Sequence, residues 1–124
     1  MGKIKSHKDL NVWQAGMELV ERVYSLAKQL PDSERYGLIS QMTRSAASVP
    51  ANIAEGHARG TRRDYAQFVT IARGSLMETE TYVLLTIRLG FVTHDDVSTL
   101  LTLIDEISKM LGSLRRRLLD NPKT

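Results

Sequence analysis

From Val97 the apolar residues Leu100, Ile104, Ile107, Leu111, Leu114 and Leu118 follow in alternating steps of three and four, for three heptads. That spacing keeps one stripe on one side of a long helix and requires other helices to cover it. A strand would turn successive members of the stripe to opposite faces, so the pattern commits this part of the chain to helix packing. Upstream, Thr93 with Asp96 has capping-box spacing, Gly90 is placed to end a preceding helix, and Phe91 is placed to fold back on it.

The same reading extends toward the amino end. Thr61 and Asp64 open a third helix through Tyr65, Phe68, Ala72, Leu76, Thr79 and Val83. A second carries Ile39, Met42, Ala46, Val49 and Ile53, a register that runs straight through Pro50. A first shows Trp13, Met17, Val20, Tyr24 and Ala27 along one face, flanked by Val12, Leu19, Val23, Leu26 and Leu30. The expected architecture is all-α: an antiparallel up-down four-helix bundle forming a single domain over 1–124, with helices over 9–30, 33–56, 62–89 and 94–119. An interior proline removes one backbone hydrogen bond, to Ala46, so the second helix is expected to kink, with Ser45, Ser48 and Asn52 placed to satisfy freed carbonyls. Gly56 and Gly60 are expected to supply turn conformations with positive φ, and Gly74, in mid-helix, to face a closely packed neighbour.

Composition narrows the chemistry. The 124 residues are 42% hydrophobic and 25% charged and contain no cysteine, which excludes disulfides and thiolate metal sites. No run approaches the ~20 apolar residues of a membrane span, and the lysines near the start precede no apolar leader core, so the expected location is cytoplasmic. A formal charge of +3 is compatible with nucleic acid without requiring it.

Gln41, Ser45, Ser48, Asn52 and Glu55 recur at helical spacing and form a polar stripe on the second helix. It reads either as an interhelical hydrogen-bond network or as a ligand groove, with Glu55 as its charge and Arg44 or Arg73 opposite. Arg59, Arg62 and Arg63 at the second turn, with Lys3, Lys5 and Lys8 at the amino end, form a candidate basic rim for RNA or DNA. Arg115, Arg116 and Arg117 suit the carboxyl end of a helix dipole. His7, His57 and His94 fall at termini or turns, none at the Glu-x-x-His spacing of di-iron bundles, and Glu78 and Glu80 point to different sides of one helix. No catalytic residue, metal or cofactor is expected.

Met110 and Leu103, like Leu84, Leu85 and Ile87, lie beside the inner stripes, so the apolar surface of the last two helices is wider than one bundle covers. Self-association is expected on that ground.

The segments DLNVWQ, GLISQMTRSAASVPANIAEGHARG, FVTIARGSLMETET and RLG resemble the bacterial four-helix-bundle proteins first recognised as products of intervening sequences within 23S ribosomal RNA genes. Arg44 to Gly56, with Arg73, Gly74, Ser75 and Leu76, carry the most specific part of the resemblance, while His57 stands where an aromatic residue would be expected. The resemblance implies a homo-oligomeric ring, commonly a pentamer, without enzymatic activity. It is also similar in fold to the accessory protein of diversity-generating retroelements, a basic pentameric barrel that works with a reverse transcriptase and nucleic acid. The first functional expectation is therefore a ring-forming adaptor that meets RNA or DNA through its basic rim. The alternative is a protein-binding scaffold with no nucleic-acid contact.

Overall fold

The computed structural model describes residues 6–120, so Lys3 and Lys5 lie outside it. Four helices account for most of the described chain: α1 (Asn11–Ala27), α2 (Ser40–His57), α3 (Arg62–Arg88) and α4 (His94–Asp120). Each packs on the next in sequence, and α4 packs on α1, which closes a four-helix bundle. The described residues contain no strand. Along the α2–α3 seam partner numbers fall as α2 numbers rise, from Ser45 with Thr79, through Ser48 with Ser75, to Gly56 beside Phe68.

Local chemistry sets the ends. Thr93 and Asp96 exchange backbone-to-side-chain hydrogen bonds at 2.8 and 3.3 Å, a complete capping box at the start of α4. At α3 the Asp64 N–H donates to Thr61 Oγ1 at 3.1 Å. Gly90 is the one described residue with positive φ, +80°, and there the chain doubles back as the Phe91 N–H donates to Thr86 O. α2 begins later than its apolar spacing suggests. Gly37 (φ −108°, ψ −107°) interrupts the helix, and Glu34 Oε1 accepts from the Leu38 N–H, so regular α-helix starts at Ser40.

The α4 stripe is buried throughout, with Ile104, Ile107 and Leu111 fully inaccessible. Each such side chain contributes roughly 1.5–3 kcal/mol by leaving water. Ile53, Val49, Ala46 and Met42 of α2 and Val83, Leu76 and Ala72 of α3 meet them in one core. On α1 the order of the two apolar lines is reversed from expectation. Val12, Leu19, Val23, Leu26 and Leu30 are the core line, whereas Met17 is 42% and Tyr24 53% exposed. The regular three-four seam of α1 runs through Val12, Gly16, Leu19, Val23 and Leu26, and its glycine disguises it in the sequence.

Gly16 also accounts for the place of Pro50. A Cβ on Gly16 would lie 3.3 Å from Pro50 Cβ, so the proline ring is pressed against the bare backbone of α1. α2 continues through Pro50 to His57. The side-chain donors near it do not turn to the Ala46 carbonyl: Ser45 Oγ donates to Met42 O and Asn52 Nδ2 to Ser48 O. The other glycines differ from expectation as well. Gly56 is a buried helical residue without positive φ, and a Cβ there would meet Phe68 Cβ at 2.7 Å and Tyr65 Cδ1 at 3.0 Å. Its role is close approach of α2 to α3. Gly60 does not adopt positive φ and has open space around it, and nothing in the structure explains it. Gly74 likewise faces open space, because its side of α3 points out of the bundle.

Gly56→Ala should therefore lower unfolding stability by ~1–3 kcal/mol through overpacking, while Gly74→Ala should raise it by up to ~1 kcal/mol through helix propensity. Denaturant titration of both variants checks the contrast. Asp96 offers a second check. The Thr93 backbone N–H, and secondarily its hydroxyl, hold the Asp96 carboxyl below the ordinary aspartate range. Its stabilising effect is present above the unfolded-state pKa and is lost as pH falls through the depressed folded-state pKa. Asp96→Asn should flatten the acid limb of a melting-temperature profile, and an unaltered limb would exclude this cap as its source.

Candidate functional site

The polar stripe of α2 faces α3. Ser45 is buried, and its hydroxyl lies 2.8 Å from the inaccessible Thr79 Oγ1; with the Ser45 proton on Met42 O, Thr79 is the donor of this pair, and Ser75 O is its alternative acceptor. One turn on, Ser48 Oγ pairs with Ser75 Oγ at 2.9 Å. Asn52 donates to both the carbonyl and the hydroxyl of Ser48 at 2.8 Å. These groups form one hydrogen-bonded seam between the two helices. A neutral buried hydrogen bond is worth about 1 kcal/mol net, but leaving one partner unpaired costs about 1–3 kcal/mol, so the seam selects one register more strongly than it adds stability.

The ends of the stripe do not join the seam. Gln41 is exposed, and so is Glu55, which pairs at 3.3 Å with Arg59 in the turn that follows α2. Arg73 reaches toward α4 instead of Glu55, its Nη1 3.8 Å from where a Gly112 Cβ would sit. Arg44 is exposed and makes no ion pair among the described residues. The charged groove drawn from Glu55 with Arg44 or Arg73 is thus not assembled, because helical spacing fixes a face but not what lies across from it. Sequence spacing also missed Thr79 and Ser75 as partners of the stripe. Their hydroxyls on the α3 face that includes Ala72 and Leu76 were the available signal.

The arginines of the second turn have local work. Arg59 lies over the Phe68 ring at 4.7 Å in addition to pairing with Glu55. Arg62 Nη2 donates to Arg117 O at 3.1 Å, tying the second turn to the last turn of α4. Arg115 Nε donates to Thr70 Oγ1 at 2.9 Å across the α3–α4 seam. Arg63 and Lys8 are exposed without an ion pair among the described residues. The 3-10 turn His7–Asp9 touches α2, which brings Lys8 toward that helix. His57 closes edge-on against Tyr65 with ring centroids 5.8 Å apart.

His7, His57 and His94 lie in separate elements, and no group of three or more acidic or histidine side chains is placed to hold a metal ion among the described residues. No described helix is long and apolar enough to cross a membrane. Tyr65 Oη and Arg62 Nε are inaccessible and lack hydrogen-bond partners. Burial raises the Tyr65 hydroxyl above the ordinary tyrosine range, and the Arg117 charge partly opposes the shift.

A raised folded-state pKa gives stability that is present below the unfolded-state value and is lost as pH rises through the folded one. Tyr65→Phe should therefore leave the melting temperature at neutral pH unchanged or higher, since it removes an unpaired hydroxyl, and should reduce the alkaline loss. Thermal denaturation at neutral and alkaline pH measures both, and a marked loss at neutral pH would reveal a partner for Oη.

Comparison with known proteins gives the arrangement a lineage. The family model described as 23S rRNA-intervening sequence protein matches residues 8–113. Among solved structures, the fold is similar to a crystal structure of a protein with unknown function from the S23 ribosomal protein family of Bacteroides thetaiotaomicron. The two superpose with a TM-score of 0.78 and 28% sequence identity, over 85% of this chain and 98% of the other. No curated protein sequence matches. With a match that takes in all of α1, α2 and α3 and most of α4, the chain belongs to the 23S rRNA-intervening sequence protein family.

Proposed function

We propose that this protein is a non-catalytic, self-associating scaffold, a ring of four-helix bundles that holds partners on its outer surfaces. The observation that carries this reading is the distribution of apolar side chains. Ile71, Met77, Leu84 and Leu85 of α3, Met17 and Tyr24 of α1, and Met110 and Leu119 of α4 are all exposed on outward helix faces. One copy leaves these surfaces wet, and further copies would cover them. Leu103, by contrast, is buried within the single chain and adds nothing to the argument. The separation of the histidines, and the engagement of the α2 hydroxyls with those of α3, favour binding over chemistry.

A second reading, an adaptor for RNA or DNA, draws on the α3–α4 end of the bundle. The Arg62 bond to Arg117 O brings Arg59, Arg62 and Arg63 next to Arg115, Arg116 and Arg117. Within that group only Arg59 has a carboxylate partner among the described residues. It ranks second because Arg59, Arg62 and Arg115 are already engaged inside the molecule, which leaves Arg63, Arg116 and Arg117 to supply the contacts.

Sedimentation velocity across micromolar concentrations should show a species larger than the 13.9 kDa chain, and a monomer at every concentration would refute the scaffold reading. Electrophoretic mobility shift with RNA and DNA at low salt separates the two readings. The scaffold predicts no shift, whereas phosphate contacts predict binding that weakens with salt at a slope of about −0.9 per neutralised phosphate on duplex DNA.

A further inference from the structure

Of the grooves along α4, two carry opposite charge, and a third, between α1 and α4 beside the first of them, is of mixed sign, with Asp9, Lys109 and Arg117. On the α1 side Trp13, Met17 and Met110 line a groove of about 900 Å³ edged by Glu18, Glu21 and Glu106, with no basic side chain in it. On the α3 side Ile71 and Leu119 lie between Arg63 and Arg115 in a groove of about 320 Å³ that contains no acidic side chain. Ile71 is 46% and Leu119 47% exposed. Glu18 is partly neutralised by Arg22 at 2.8 Å, but Glu21, Glu106, Arg63 and Arg115 make no ion pair among the described residues. The Arg115 bond to Thr70 holds its guanidinium beside the groove.

Resting on the self-association proposed above, we infer that the acidic α1–α4 groove of one copy and the basic α3–α4 groove of the next are the two halves of one contact. Covering Ile71 and Leu119 with an apolar surface would strand the two unpaired arginines unless carboxylates came with it, and the α1–α4 groove supplies both. A two-fold contact of either groove with itself would set like charges together and so repel. The contact is therefore head-to-tail. Because α1 and α3 both neighbour α4, the two grooves occupy adjacent sides of the bundle. Successive copies consequently turn relative to one another.

Paired charge reversals in the full chain test the assignment. Glu21→Lys with Glu106→Lys, and separately Arg63→Glu with Arg115→Glu, should each keep helical circular dichroism yet weaken self-association by about tenfold or more in sedimentation equilibrium, since ~1.4 kcal/mol is tenfold. Mixing the two variants in equal amounts should restore assembly, because each again meets an opposite charge. A monomeric wild-type chain would overturn the scaffold reading itself. A wild type that assembles, with variants that assemble equally well, would overturn only the groove assignment. Loss in both variants without rescue on mixing would also overturn the pairing and would assign the grooves to other partners. Should a reversal unfold the chain, Glu21→Gln with Glu106→Gln and Arg63→Gln with Arg115→Gln serve instead. Both must then weaken association and lessen its salt dependence, and an unchanged constant again overturns the pairing.

Discussion

Close approach of α2 to α3 governs much of this molecule. The helices can come near because Gly56 carries no side chain where Phe68 and Tyr65 pass, and because the residues between them are small. Nearness then lets Ser45 reach Thr79 and Ser48 reach Ser75. A slide of one helix along the other would leave buried hydroxyls without partners, at a cost of about 1–3 kcal/mol for each. Apolar packing alone tolerates such slides better, because one aliphatic side chain fills another's place at modest cost. The α2–α3 seam thus fixes a register that the aliphatic core by itself would specify less sharply.

That arrangement also directs where function can reside. The middle of the α2 stripe, Ser45, Ser48 and Asn52, faces α3 and is satisfied there and within itself, while Glu55 at its end pairs with Arg59. Chemistry available to partners is left on the outside: apolar side chains on α1, α3 and α4, and one acidic and one basic groove along α4. Membership in the 23S rRNA-intervening sequence protein family agrees with a helical bundle and assigns no reaction to it.

The sequence was most legible where a pattern was long and unbroken. The α4 stripe is buried at every position its spacing marks, and the capping residues Thr61 and Thr93 lie at the helix starts they indicate. On α1 the line through Trp13, Met17, Val20 and Tyr24 stands out because it is uninterrupted, whereas the flanking line that forms the core seam is broken by Gly16. The significance of Gly16 depends on Pro50, a residue of another helix, and no local spacing encodes that meeting. Gly56 and Gly74 show the same limit. Both are glycines within helices, yet one is a point of contact and the other faces open space, and the difference lies wholly in the neighbouring helix. For Glu55 and Arg73, the sequence located the charges but not their partners.

The central claim is that the stripe on α2 holds two helices in register and is not a ligand groove. A double-mutant cycle of Ser45→Ala and Thr79→Val, read by denaturant unfolding, addresses it most directly. A coupling energy of about 0.5–3 kcal/mol is the predicted result. Additive losses, with coupling indistinguishable from zero, would contradict it.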